Sequence, residues 1–147
     1  LNPILTQLLK PESAQRSATL DLLSDHDALC SPQGLRSLSK AHPLFGEDED
    51  YWRGAIWLPI NYMALRALHH YSQGSGKNAD RCAILYTDLR LNIIHTVLDE
   101  YERTGYTWEQ YDGETGHGRR NHPFTGWTSL VVLIMAEKYH TTYPTLS

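Results

Sequence analysis

Glu109 is one of three carboxylates, with its rivals Asp112 and Glu114, that lie close together in a loop where acid–base chemistry could be done. It sits in Trp108-Glu109-Gln110-Tyr111-Asp112, on a loop bounded by Gly105 and Gly113. Aromatic neighbours desolvate a carboxylate and raise its pKa, and hydrogen bonds are then needed to keep it ionised. An ionised carboxylate can take a proton from a water as that water attacks a sugar. Inverting glycoside hydrolysis needs this group and a second, protonated carboxyl roughly 6.5–9.5 Å away. The residues alone also fit a loop carboxylate held in an ordinary salt bridge.

Three further segments carry a similar mixture: Gly34-Leu35-Arg36-Ser37-Leu38-Ser39, Tyr51-Trp52-Arg53-Gly54-Ala55-Ile56-Trp57 and Phe124-Thr125-Gly126-Trp127-Thr128-Ser129-Leu130. Sugars suit such segments. Aromatic faces pack on the C–H faces of a pyranose, while fixed polar groups bond its hydroxyls. All four tryptophans, at 52, 57, 108 and 127, keep polar company, which core filler does not require. Tyr51 and Trp57 are expected to line a sugar subsite. Trp57 equally fits the first core residue of a helix. Trp52 and Trp127 fit either sugar contact or packing anchors. Arg53 fits a partner for Glu109 or a donor to a sugar hydroxyl. Asn61, one turn beyond Trp57, fits a site residue or a satisfied core amide.

Other clusters point less clearly. Asp112 and Glu114 could bind Ca²⁺, but the ligand pattern is incomplete. His69 and His70 are adjacent and face different sides of a helix, and His117 and His122 lack zinc-motif company. No metal or cofactor is expected. The Glu47-Asp48-Glu49-Asp50 run reads as a solvated loop. Cys30 and Cys82 do not make a disulfide framework; they could pair, which spacing does not show, or be small buried thiols. There is no phosphate loop, dinucleotide fingerprint or Ser-His-Asp arrangement.

The elements that must position these residues are helical. Asn2-Pro3 opens a short helix through about Lys10. A second starts at Pro11-Glu12 and runs to about Ser24. A long connection, punctuated by Pro32, Gly34, Pro43 and Gly46, follows to Tyr51. The third helix starts near Trp57 or Pro59, with Trp57, Ile60, Ala64, Leu68 and Tyr71 on one face. It ends before Gly74-Ser75-Gly76. Asn78 suits the cap of a fourth helix reaching about Arg103, with the stripe Cys82, Tyr86, Leu89, Ile93, Val97 and Tyr101. Gly105 stops it. Thr125 caps a last helix to about Tyr139, apolar nearly all round and therefore expected to be buried. No convincing strand is visible.

The 147 residues suffice for one domain with a real core. A formal net charge of −4 gives no electrostatic reason to expect nucleic acid or an anionic membrane. No apolar run approaches the roughly 20 residues of a membrane span, so no membrane contact is expected from this segment.

Together and in this order, the four segments resemble glycoside hydrolase family 63, strongly from about Gly34 to Tyr139 and weakly before that. The resemblance implies an all-α fold of helical hairpins forming part of an (α/α)6 barrel, with residues 1–147 as a C-terminal portion of the catalytic domain. It implies an inverting exo-α-glucosidase that removes the terminal α-1,2-linked glucose of the Glc3Man9GlcNAc2 N-glycan precursor. Glu109 then falls at the general base, and Tyr51, Trp52, Arg53, Trp57 and Tyr111 at substrate positions. The general acid and a β-sandwich domain belong to parts of the family that this chain does not contain. The remaining part of the same enzyme is the expected partner. Residence in the endoplasmic reticulum lumen follows from the resemblance alone. The chain reads as an internal piece of a longer polypeptide, inactive by itself, with apolar helix faces left open. The alternatives are a non-catalytic helical carbohydrate-binding domain and a trehalase-like enzyme of the same barrel class.

Overall fold

The structure is a computed structural model that describes residues 2–10 and 12–137. In chain order the elements are α1 (Asn2–Leu5), α2 (Ala14–Ser24), β1 (Cys30–Ser31), β2 (Gly34–Leu35), a 3-10 turn (Asp50–Trp52), α3 (Leu58–Ser72), α4 (Lys77–Thr104), β3 (Gln110–Tyr111), β4 (Gly118–Arg119), a second 3-10 turn (Trp127–Ser129) and α5 (Leu130–Ala136). The expected starts of helices at Asn2 and near Trp57, and the stop at Gly105, match this order. Pro11 and Tyr139, the expected start and end of two other helices, lie outside the described residues.

The α3–α4 hairpin is the scaffold. Pro59 lies in the first turn of α3, where the missing N–H costs nothing. Leu58, Ala64, Leu65, Leu68 and Tyr71 of α3 are buried, as are Cys82, Tyr86, Leu89, Ile93 and Val97 of α4. Their 3–4 spacing makes two stripes that pack into one core, with Leu20, Leu23 and Ile134 added from α2 and α5. Asn78 does not cap α4. Gly76 is the cap residue, and the Asn78 N–H instead donates to the Glu12 carboxylate at 3.1 Å. A residue 66 positions away supplies the acceptor that the helix end needs. At the other end Gly105 takes φ 78° and its N–H closes on the Tyr101 carbonyl at 2.7 Å. That left-handed conformation favours glycine.

Other expectations are corrected too: α1 ends at Leu5 rather than near Lys10, and Thr125 does not cap the last helix, which starts at Leu130 after a 3-10 turn headed by Gly126. Two short antiparallel ladders exist, Cys30↔Leu35 with Ser31↔Gly34, and Gln110↔Arg119 with Tyr111↔Gly118. Single bridges join Arg36 to Ile56 and Ile56 to Tyr111, so three loops are sewn together beside the start of α3. Next, the α4 stripe does not reach Tyr101, which is 51% exposed. Glu100 is the buried residue there, at 3%, because it accepts the Gly118 N–H at 2.8 Å and pairs with Arg103. Finally, α5 is not enclosed. Val131 and Ile134 are buried while Val132, Leu133 and Met135 are exposed. Arg90 ends this helix by donating to the Ile134 and Met135 carbonyls.

Asn61 is a satisfied core amide. It is fully buried, accepts the Leu35 N–H at 2.7 Å, and donates to the Leu35 and Trp57 carbonyls. It thereby ties β2 to the first turn of α3. Cys30 and Cys82 are free thiols, and burial pushes the Cys82 pKa up to about 11.

Candidate active site

Glu109 precedes β3 and is held by its backbone from both sides. Its N–H donates to the Asn121 carbonyl at 3.0 Å, and its carbonyl accepts the Trp127 indole N–H at 2.7 Å. The neighbouring Trp108 carbonyl accepts the Thr128 hydroxyl. The Phe-Thr-Gly-Trp-Thr-Ser segment thus serves as a clamp on the loop that carries Glu109 into β3. Gly118, on the facing strand, lies directly under the Trp108 indole. A Cβ there would sit 2.0 Å from the Trp108 Cγ, so only glycine lets β4 approach this ring.

The Glu109 side chain is 4% exposed, and both its oxygens accept hydrogen bonds. The Tyr51 hydroxyl donates to Oε1. The Asn121 backbone N–H, at 3.3 Å, and its side-chain amide donate to Oε2. The Tyr51 bond is the largest influence holding the Glu109 pKa below its ordinary value. Burial opposes it, and the Asn121 donors and the Arg120 charge add to it. The same bond raises the Tyr51 pKa. Glu109 is therefore an anion with its oxygens aimed. A carboxylate has about four lone-pair sites. Three described donors occupy three of them and leave one on Oε1.

An aromatic stack adjoins this carboxylate. Trp52 and Trp57 lie face to face with centroids 3.8 Å apart and planes 7° from parallel. The Tyr51 ring meets Trp57 edge-on at 4.8 Å, and Trp127 approaches Trp57 at 5.4 Å. Trp57 anchors the stack by donating its indole N–H to the Tyr51 carbonyl at 3.2 Å. Trp52 is 52% exposed and Trp57 1%. The open aromatic surface is therefore Trp52, and Trp57 is the floor beneath it.

The residues singled out from sequence are not all used alike. Tyr51, Trp52, Trp57 and Glu109 come together. Tyr111 is fully buried; its hydroxyl accepts the Trp108 N–H at 3.2 Å, and burial raises its pKa to about 12. It braces the Glu109 loop from behind and presents no surface to a solute. Arg53 turns away and donates to the Glu47 carbonyl and to Asp48. The cation whose charge acts on Glu109 is Arg120, which sequence reasoning missed along with Asn121. The available signal was the polar run Arg119-Arg120-Asn121 just ahead of the clamp segment.

Asp112 and Glu114 serve the loop itself. Asp112 accepts the Glu114 and Thr115 N–H groups. Glu114 pairs with buried Arg36 at 2.8 Å and with Lys40 at 3.1 Å. Among the described residues no group of three His, Cys, Asp or Glu side chains could hold a metal ion. No described helix is long and apolar enough to cross a membrane. A separate cavity of about 390 Å³, lined by Leu23, Cys30, Leu68 and Asp88 among others, shares no residue with the Glu109 site.

Comparison with known proteins identifies the family. The sequence profile described as glycosyl hydrolase family 63 C-terminal domain matches residues 1–137. A probable mannosyl-oligosaccharide glucosidase of Schizosaccharomyces pombe is 44% identical over 140 residues, covering 95% of this chain and 17% of the relative. A mannosyl-oligosaccharide glucosidase of Arabidopsis thaliana is 41% identical over 142 residues, covering 93% and 17%. The chain thus spans about a sixth of the length of these relatives. Among solved structures, a GH63 mannosylglycerate hydrolase of Thermus thermophilus in complex with glucose superposes with a TM-score of 0.60 at 25% identity, covering 92% of this chain and 29% of the other. The expected helical fold and family both hold: the chain belongs to glycosyl hydrolase family 63, as a segment of its C-terminal domain.

Proposed function

We propose that this chain is the general-base segment of an inverting exo-α-glucosidase whose remaining parts lie in a longer polypeptide. Its helices form part of an (α/α)6 barrel. Glu109 takes a proton from a water as the water's oxygen bonds to the anomeric carbon of a terminal glucose. The glycosidic C–O bond breaks, and the leaving oxygen takes a proton from a carboxylic acid in the other part of the barrel. The lone pair of Glu109 Oε1 that Tyr51 leaves open is the acceptor. Trp52 supplies the face on which the sugar packs, and Tyr51 and Trp57 hold that face beside the carboxylate. The substrate is the terminal α-1,2-linked glucose of the Glc3Man9GlcNAc2 precursor, met in the secretory pathway.

The observation that carries this reading is the cradle around Glu109. Two side chains and a backbone N–H fix an ionised carboxylate next to an exposed indole. An ordinary surface ion pair needs no such support. The names of the mannosyl-oligosaccharide glucosidase relatives favour the α-glucoside substrate. The test is the anomeric form of the first product. NMR of the complete enzyme acting on its oligosaccharide should show β-glucose released first. Initial release of α-glucose would exclude a water-activating base in this role.

A further inference from the structure

We propose that Asp50 is a positioning residue for Glu109, acting through Arg120 and Tyr51; this rests on reading Glu109 as the general base. The run Glu47–Asp50 is expected from sequence to be a solvated loop; Glu47, Asp48 and Glu49 are exposed as expected, and only Asp50 is partly buried. Asp50 is held on both oxygens, Oδ2 by Arg119 and Oδ1 by Arg120. Glu49 takes a second contact from Arg120 at 3.2 Å. Segment 49–51 thus faces segment 119–121 residue against residue, Glu49 and Asp50 to the arginines and Tyr51, through Glu109, to Asn121.

This clasp decides where the Arg120 charge goes. Arg120 adopts φ 68°, a left-handed conformation that a non-glycine residue rarely takes. Its guanidinium stands 5.5 Å from the centroid of the Tyr51 ring, within cation–π range. Its charge also acts on Glu109. A guanidinium free to move seeks a carboxylate, and a fork-to-fork pair with Glu109 would occupy the lone pair a water needs. Asp50 and Glu49 hold Arg120 over Tyr51 instead. Because Asn121 follows Arg120 directly, fixing one backbone also aims the donors on Glu109 Oε2.

Among the described residues the charged and titratable groups around Glu109 are few. Glu49, Asp50 and Tyr51 face it from one segment. Arg119, Arg120 and His122 come from the other, the His122 ring lying 3.8 Å from that of Trp108. Under β4, Glu100 is already satisfied by Arg103 and the Gly118 N–H. Arg53 is engaged by Asp48. Arg120, the cation whose charge acts on Glu109, is therefore the one whose position matters.

The experiment uses the complete polypeptide that carries this segment and an oligosaccharide ending in α-1,2-linked glucose. kcat and kcat/KM are measured against pH for the native protein, Asp50→Asn, Asp50→Asn/Arg120→Gln, Asp50→Glu and Glu109→Gln. Asp50→Asn should lower kcat about tenfold with a smaller change in KM. It should also move the acid limb to lower pH, since a nearer cation keeps Glu109 ionised further down. Adding Arg120→Gln should move that limb back up, and Asp50→Glu should retain most turnover. Native turnover in Asp50→Asn overturns the proposal. So does a loss of turnover with an unmoved limb that the double variant does not change, which is a purely structural effect. If Asp50→Asn does not fold by thermal melting, Arg120→Gln alone carries the test. Its limb should rise, and an unmoved limb overturns the proposal. Glu109→Gln with native turnover sinks the general-base reading itself, whatever Asp50 does.

Discussion

The Tyr51 hydroxyl donates to Glu109 across 58 residues of sequence, joining the loop before α3 to the loop after α4. A phenol is a donor that cannot itself neutralise the anion, because its own pKa is raised by the contact. In Tyr51→Phe the carboxylate loses the largest influence depressing its pKa. The acid limb of kcat/KM for the complete enzyme is expected to shift to higher pH, and kcat to fall about tenfold or more. An acid limb that moves down, or not at all, contradicts the assigned hydrogen bond.

Gly118 under Trp108 is a steric requirement. Gly118→Ala places a methyl group 2.0 Å from a ring carbon of Trp108. Overpacking of this kind costs about 1–3 kcal/mol. A urea titration of the complete protein should show the midpoint reduced with little change in slope. An unchanged midpoint would mean that the indole is free to move aside.

Asn61 carries three hydrogen bonds in a fully buried position. Asn61→Ala leaves the Leu35 N–H without its acceptor, and a buried unpaired donor costs about 1–3 kcal/mol. The loss is expected in stability first, with hydrogen exchange at Leu35 accelerated. Unchanged protection at Leu35 would show that another group takes over.

Acid should weaken the fold through specific carboxylates. Burial pushes the Glu100 pKa up, but the Arg103 and Gly118 donors outweigh it and hold it low. Hydrogen bonds do the same for Glu109 and Glu114. A depressed folded-state pKa adds stability that is fully present above the unfolded value, about 4.3 for Glu. That stability is lost as pH falls through the lower folded values. Urea midpoints should therefore drop below about pH 4, and less steeply in Glu100→Gln. A stability that rises between pH 5 and pH 3 would contradict this.

The parts of the fold legible in sequence are those with a period. α3 and α4 show 3–4 stripes and a Gly-Ser-Gly break, and both are found where the stripes place them. The stripe misleads only at its end, where Glu100 replaces Tyr101. The reason is an acceptor needed by a strand 18 residues further on. Ladders two residues long have no alternation to read. The apolar run of α5 misleads because all-round apolarity implies burial only where something covers each side, and Val132 and Leu133 are open here.

The site is half legible for a similar reason. Glu109, Tyr51, Trp52 and Trp57 belong to recognisable segments, and they meet. Arg120 and Asn121 act only through contacts made in space. The pairing of Asp50 with Arg119, 69 residues apart, depends on two loops folding toward each other. An acidic run and a basic pair carry opposite signs, but spacing does not say that they touch.

The central claim is that Glu109 accepts the proton of the attacking water. Glu109→Gln keeps the size and one acceptor but removes the base. In the complete polypeptide, acting on an α-1,2-glucose-terminated oligosaccharide, kcat should fall by about 10²–10⁴ while KM changes little. Turnover within a few-fold of the native enzyme would contradict the account.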